Sequence, residues 1–193
     1  MATWRRLESP TPPEGSRVPG TTDGRGFSLT PGEQALVSVP SMGSPLSVLP
    51  DDAFENLLVL SATASPEKVE SLVERRGGDP EKVGVVPVTG SPTEYDGPLW
   101  TTDPVDPSDL TGISIRLSKA MQYVMPGGWV VVDNVNVLLM YGREEKVFRL
   151  FDSVVSNARE KDACGAYCTV RDAVTDETYS RLRGFCDREI SVE

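Results

Sequence analysis

The fold is decided by residues 129–133, which read Trp-Val-Val-Val-Asp (WVVVD). Four consecutive large apolar residues are typical of a strand that is buried on both faces. The proline and two glycines at 126–128 end whatever precedes this strand, and Asp133 is its first polar neighbour. We therefore predict a central strand here, in a sheet that is covered on both sides.

Outward from this strand, short apolar runs alternate with segments that have helical spacing. A serine followed by proline, Ser65 and Pro66, predicts the start of one helix, and Ser108 predicts the cap of another. A third helix is predicted from Arg143, and Thr175 or Asp176 caps a last one. Further strands are predicted at 35–39, 57–60, 83–88 and 163–170, with an edge strand at 190–192. Alternating strands and helices predict an α/β fold: a mostly parallel sheet with helices on both faces.

Two segments lack any helical or strand period. Residues 1–31 are rich in proline, glycine, serine and threonine, which predicts a flexible or surface-draped arm before a domain at 32–193. Residues 89–107 contain four prolines and are predicted to form a long loop.

The composition is acidic, with a net charge of −10 and no histidine. Duplex nucleic acid is therefore not expected as a partner, because phosphate contacts need clustered cations. The basic residues are 14 arginines and only five lysines, and such a composition suits a protein kept soluble in concentrated salt. We expect a salt-adapted archaeal source, with an ordinary acidic bacterial protein as the alternative. Neither a secretory signal nor a membrane helix is expected, so a cytoplasmic location is predicted.

The three cysteines are Cys164, Cys168 and Cys186. Cys164 and Cys168 are four residues apart in a predicted strand, so their side chains share one face. Without histidine or a second close cysteine pair, the spacing argues against zinc. We expect buried, reduced thiols and no cofactor.

The loop after the first predicted strand, residues 40–46 (PSMGSPL), stands where a parallel sheet binds phosphate. A phosphate loop needs glycines for close backbone approach and a lysine that reaches the phosphates. Gly43 and Ser44 are the candidate nucleotide-binding residues. Pro45 stands in the place of the lysine and has no amide to donate. Phosphate binding here is therefore disfavoured.

Asp133, at the end of the central strand, is the candidate metal ligand. An acidic residue here could hold magnesium through water, although an aspartate at a strand end often serves only as a turn former or helix cap. No histidine is present, and no cysteine lies beside an evident base, so nucleophilic catalysis has no visible machinery.

Three segments carry a resemblance: 109–113 (DLTGI), 130–133 (VVVD) and 145–149 (EKVFR). In this order they resemble a haloarchaeal RecA/KaiC-like family of unknown function, over roughly residues 31–193. The resemblance implies a RecA/P-loop-like core related to KaiC ATPases, with Asp133 at the magnesium-facing position. The chain departs from the ATPase pattern because Pro45 replaces the lysine and Ser44 replaces the preceding glycine. Residues 61–63 (SAT) also stand where a glutamate would follow the second strand.

Two classes of function follow from this comparison. The first is a non-catalytic regulatory or scaffolding domain that acts through a protein partner or self-association, with no membrane contact. The alternative is a nucleotide-binding ATPase with an atypical phosphate loop. Tyr95, Leu99 and Trp100 are the candidate partner-binding residues, because large apolar side chains in a polar loop are favoured interface anchors. In the alternative interpretation of this loop, Trp100 folds back and caps the core.

Overall fold

A single sheet organises the protein. The computed structural model describes residues 27–41 and 43–192, and within these residues seven strands pair, each parallel to its neighbours. The strand order across the sheet is β4-β3-β2-β5-β6-β1-β7. The strands are β1 (Gln34–Ser38), β2 (Leu57–Ser61), β3 (Val83–Pro87), β4 (Trp100–Thr101), β5 (Trp129–Val132), β6 (Cys164–Thr169) and β7 (Arg188–Ser191).

The helices cover both faces of this sheet unequally. One face packs against α1 together with two short 3-10 helices, Pro45–Val48 and Asp51–Glu55. The other face packs against the remaining four α-helices of the described residues. The helices are α1 (Pro66–Arg75), α2 (Leu110–Met121), α3 (Val135–Tyr141), α4 (Glu144–Glu160) and α5 (Asp176–Phe185). The predicted fold class, a parallel α/β sheet with helices on both faces, is confirmed.

The central strand is β5, as its sequence predicts. It lies between β2 and β6, and all four of its residues are buried. Alternate side chains of a strand point to opposite faces, so Val130 and Val132 pack under the four-helix face. Trp129 and Val131 pack on the α1 side. Burial on both faces explains why the strand has no polar position.

The helix starts follow the predicted capping chemistry in part: Ser65 stands at the N-cap of α1, but its side chain makes no capping hydrogen bond. Thr175 caps α5, where its hydroxyl accepts from the Thr178 N–H at 3.2 Å. The cap of α2 is Asp109 and not Ser108, since the Asp109 carboxylate accepts from the Gly112 N–H at 2.8 Å. The prediction failed because adjacent residues can both act as N-caps, and only the backbone path decides between them.

Two further features differ from the predictions. Residues 135–141 form the helix α3, which Asn134 caps. This helix was not predicted, because its mostly apolar sequence resembles an extension of the preceding strand. The predicted 89–107 loop contains the short edge strand β4 and a bridge between Val88 and Val105, so part of it belongs to the sheet.

Most of the predicted arm, residues 1–26, lies outside the described residues. Where the description begins, the Phe27 ring lies 5.9 Å from the Trp129 ring and packs against the α1-side core. None of the helices that the structure describes is long and apolar enough to cross a membrane.

Candidate functional site

The carboxyl edge of the sheet brings together the residues that could carry chemistry. All described strands are parallel, so the loops that follow β1, β2 and β5 emerge at the same edge. Ligands of open parallel sheets bind at this edge. The loop after β1 contains Gly43 and Ser44, the connection from β2 to α1 contains Thr63, and Asp133 follows β5 directly.

The Asp133 carboxylate is enclosed by the β2–α1 connection. Its side chain is buried, with the residue 1% exposed. Oδ1 accepts from the Ala62 N–H at 2.8 Å, and Oδ2 accepts from the Thr63 N–H at 3.1 Å and the Thr63 hydroxyl at 2.8 Å. The Ser61 hydroxyl also lies 2.8 Å from Oδ2. Asp133 therefore holds the turn between β2 and α1 in place.

The protonation of Asp133 is set by two opposing effects. Burial raises the pKa of the Asp133 carboxyl above its usual value, while the hydrogen bonds from Ala62, Thr63 and Ser61 act to lower it. Ser61 Oγ also lies 2.8 Å from the Ala64 carbonyl oxygen. A hydroxyl has one proton, so Ser61 cannot donate to both acceptors at once. Because Ser61 divides its proton between Asp133 and the Ala64 carbonyl, its lowering effect on the Asp133 pKa is weakened.

The metal role predicted for Asp133 stays a prediction. Magnesium needs near-octahedral oxygen coordination, and a protein site leaves several of the six positions to water or substrate. Oδ2 of Asp133 is already surrounded by three donor atoms, one from Ser61 and two from Thr63. Within residues 27–41 and 43–192, no group of three or more acidic or cysteine side chains could hold a metal ion.

The loop after β1 folds onto itself. The Gly43 N–H donates to the Pro40 carbonyl at 3.0 Å, and Ser44 precedes the 3-10 helix Pro45–Val48. The Ser44 carbonyl accepts from both the N–H and the hydroxyl of Ser47, at 3.0 and 2.6 Å. Pro45 is buried and has no amide to donate. Of the amides in this loop, that of Gly43 is therefore used internally, and Pro45 has none.

A cavity of about 490 Å³ lies between this loop and the outer side of α1. Gly43 and Ser44 line it together with Thr63, so the cavity reaches the turn that Asp133 holds. Two cations of α1, Lys68 and Arg75, also line it, and in the described part of the chain neither forms an ion pair. Glu67 lines the cavity as well, so the structure brings the predicted nucleotide-binding residues together with two cations and one carboxylate.

The predicted partner-binding residues pack against their own domain. The Tyr95 hydroxyl donates to Glu70 at 2.7 Å and accepts from the Leu99 N–H at 3.1 Å. Burial raises the pKa of Tyr95 to about 12. Leu99 is only 5% exposed and belongs to the α1-side core. Leu99 therefore offers little surface to a partner, and the binding role of this loop stays a prediction.

Trp100 is half-buried in β4. Its ring lies 5.4 Å from the ring of Tyr123, and a Cβ atom at Gly84 would lie 3.2 Å from Trp100 Cε3. The absence of a side chain at Gly84 thus makes room for the indole on the neighbouring strand. This is the alternative interpretation of the loop, in which Trp100 folds back over the core.

We expect Trp100→Ala to lower the free energy of unfolding by about 2–3 kcal/mol, below the usual cost for a fully buried aromatic because the ring is half-exposed. The control is Tyr141→Ala, which removes an aromatic ring that is 58% exposed. Chemical denaturation of both variants measures the effect. Equal stability of Trp100→Ala and the wild type would contradict the packing and favour an interface role.

The predicted cysteine environment is confirmed for two thiols. Cys164 and Cys168 are buried on the α1-side face of β6, and Cys186 is half-buried. Burial raises the pKa of the Cys164 thiol to about 11 and that of Cys186 to about 12. Such thiols are poor nucleophiles at neutral pH, so none of them offers catalytic chemistry.

One polar contact at this edge has no counterpart among the predictions. Asn136, in α3, is buried, and its side-chain oxygen accepts from the Thr169 hydroxyl and the Val170 N–H, both at 2.9 Å. Its amide nitrogen donates to the Val170 carbonyl at 3.2 Å. Asn136 therefore pairs with the end of β6 as a neighbouring strand would. An asparagine within an apolar run was the available signal.

Together, the fold and this edge define a parallel α/β protein in which the loop after β1 and the Asp133 carboxylate both make internal contacts. The chain belongs to a family of unknown function (DUF7504), which matches residues 47–192. Gly43, Ser44 and Pro45 precede the matched region, whereas Asp133 and α1 lie within it. A comparison with curated proteins finds no match to this chain. The family match gives neither a RecA or KaiC relationship nor a source organism.

Proposed function

We propose that this chain is a non-catalytic regulatory or scaffolding domain of RecA/KaiC-like type that acts through protein–protein contacts. The observation that supports this most is the enclosure of Asp133 by donors from Ser61, Ala62 and Thr63. A carboxylate that holds a turn in this way lacks the open coordination positions of a magnesium site. On this proposal, Asp133 has a structural role and no catalytic one.

The path of the chain after β1 supports the same proposal. A P-loop binds phosphate with the backbone amides of a glycine-rich loop and the N-terminus of the helix that follows. Here β1 is followed by a four-residue 3-10 helix, Pro45–Val48, whose first residue has no N–H. The first α-helix, α1, begins only after β2.

The cavity beside α1 favours the second candidate function, an ATPase or nucleotide-binding domain with an atypical loop. Its volume of about 490 Å³ is in the range of small-molecule sites. Lys68 and Arg75 could supply the positive charge that Pro45 cannot. On this view the cations come from α1 and not from the loop after β1.

We expect no magnesium-dependent ATP hydrolysis above background, because Pro45 stands in place of the phosphate-loop lysine and residues 61–63 hold no glutamate to activate water. Phosphate release should be measured with the purified protein in both dilute and multimolar KCl. Lys68→Ala and Lys119→Ala form a matched pair, since both residues are exposed helix lysines and only Lys68 lines the cavity. Turnover that Lys68→Ala abolishes and Lys119→Ala preserves would overturn the proposal in favour of the ATPase.

The proposed salt-adapted archaeal source rests on composition. Twenty-nine acidic residues face nineteen basic ones, and their mutual repulsion falls as salt screens it. We expect the melting temperature to rise between dilute buffer and multimolar KCl. An unchanged melting temperature would contradict salt adaptation without bearing on the fold.

A further inference from the structure

The four-helix face carries a second concave surface, separate from the cavity beside α1. A groove of about 380 Å³ runs between α2 and α4. Small hydroxyl side chains, Thr111 and Ser114 from α2 and Ser153 from α4, line it. Small residues allow the backbone of a bound segment to approach closely. Leu110 and Leu150 lie at the base of the groove, where both are partly or fully buried in the core.

One exposed apolar side chain lines this groove, and two more lie at the end of α3. Ile115, on the outer side of α2, is 52% exposed, although its neighbours Ile113 and Leu117 are buried. At the end of α3, Met140 is 77% exposed and Tyr141 is 58% exposed. Gly142, the residue after Tyr141, lies beside the groove residue Leu110, since an added Cβ atom there would lie 3.0 Å from Leu110 Cδ1. Ile115 is therefore the exposed apolar side chain that the groove itself offers.

The charge of the groove opposes that of the whole protein. The chain has a net charge of −10, yet the groove is lined by Lys146 and Arg149 and by no acidic side chain. Neither cation forms an ion pair within the described residues. Glu145, next to Lys146, pairs with Arg181 of α5 at 2.6 Å, and the Arg149 side chain donates to the Glu145 carbonyl at 3.4 Å. The groove therefore selects for negative charge.

The geometry points to a specific partner: the groove between α2 and α4 docks an acidic, amphipathic segment of another protein. Apolar side chains of that segment pack on Ile115 and Leu110, and its carboxylates pair with Lys146 and Arg149. This inference rests on the proposed function as a protein-contact domain and names its surface. A symmetric contact with a second copy is disfavoured, because it would bring the same two cations together.

The test is a selection of random 16-residue peptides displayed on phage against the intact protein. We expect enriched peptides to be acidic, with apolar residues spaced three and four apart. Synthetic copies should bind Ile115→Asp and the Lys146→Glu/Arg149→Glu double variant at least tenfold more weakly than the wild type. The matched control is Lys68→Glu/Arg75→Glu, which makes the same charge change on the opposite face and should leave binding unchanged.

Three results would overturn the inference. One is the absence of any enriched peptide, and another is enrichment of peptides whose binding survives the Ile115 and Lys146/Arg149 changes. The third is a wild-type dimer that Ile115→Asp converts to a monomer in sedimentation analysis, which would make a second copy the occupant. If these tests fail and the protein hydrolyses no ATP, the docking inference is rejected and the proposed function still stands. Hydrolysis removes the proposed function whatever the peptides show.

Discussion

Asp133→Ala is expected to lower the free energy of unfolding by about 3 kcal/mol, since two backbone amides and the Thr63 hydroxyl lose their acceptor and each hydrogen bond contributes about 0.5–1.5 kcal/mol. These amides belong to Ala62 and Thr63. The Ser61 hydroxyl keeps the Ala64 carbonyl as its partner. Urea denaturation measures the loss. Asp152→Ala, at an exposed position on α4, is the control and should change stability by less than about 0.5 kcal/mol.

The pH dependence of the stability separates the effect of the Asp133 charge from that of the side chain's shape. Burial raises the pKa of the Asp133 carboxyl in the folded protein. A raised pKa means that the folded state favours the protonated form, so stability falls as the pH rises from the ordinary aspartate range through the folded pKa. Asp133→Asn cannot titrate. The stability of the wild type relative to Asp133→Asn should therefore decrease with rising pH, and a pH-independent difference would contradict the shift.

Gly165→Val is expected to lower the free energy of unfolding by about 4 kcal/mol, from overpacking and from lost buried hydrogen bonds together. An added Cβ atom at Gly165 would lie 1.9 Å from Gln34 Oε1 and 2.7 Å from the Tyr167 hydroxyl oxygen. Gln34 is fully buried, and its side-chain nitrogen donates to the Gly32 and Ala163 carbonyls at 3.0 and 2.8 Å. Its oxygen accepts from the Tyr167 hydroxyl at 2.7 Å.

The melting temperature should fall by about 10 °C, given about 2–4 °C per kcal/mol for a chain of this size. Gly184→Ala is the matched control, because an added Cβ there meets no atom within 4 Å, and alanine should stabilise α5 by about 0.5–1 kcal/mol. Removing the obstructing side chain tests the cause: Gln34→Ala/Gly165→Val should be more stable than the sum of the two single losses implies. Additive losses would show that Gln34 is not what the valine displaces.

The strands could be predicted because their signal is local. Residues 129–132 and 57–60 are continuous apolar runs, and such runs occur in strands buried on both faces whatever their neighbours are. The helix α3 was missed for the same reason, since residues 137–141 extend the apolar sequence without a helical period. Only Asn134, whose side chain accepts from the Asn136 N–H at 2.9 Å, marks its start.

The surroundings of the candidate site could not be predicted, because they depend on which strands are neighbours. Asp133 is conspicuous in the sequence, but its contacts come from Ser61 and Thr63, 72 and 70 residues away. They meet because β2 lies beside β5, and no local pattern encodes strand order. Likewise, the packing of the Trp100 ring depends on Gly84, and the two residues meet only because β3 pairs with β4.

The position of β1 has a consequence for how this chain folds during synthesis. β1 lies between β6 and β7, and Gln34 is hydrogen-bonded to residues 133 and 153 positions further along the chain. A nascent chain that has only reached β5 can assemble β2, β3 and β5, whereas β1 must wait for partners that the ribosome has not yet released. Pairing over such distances also slows folding, since the loop must close before any contact rewards it. Until then β1 is an unpaired apolar edge, so we expect chaperones that shield nascent chains to matter most for this segment.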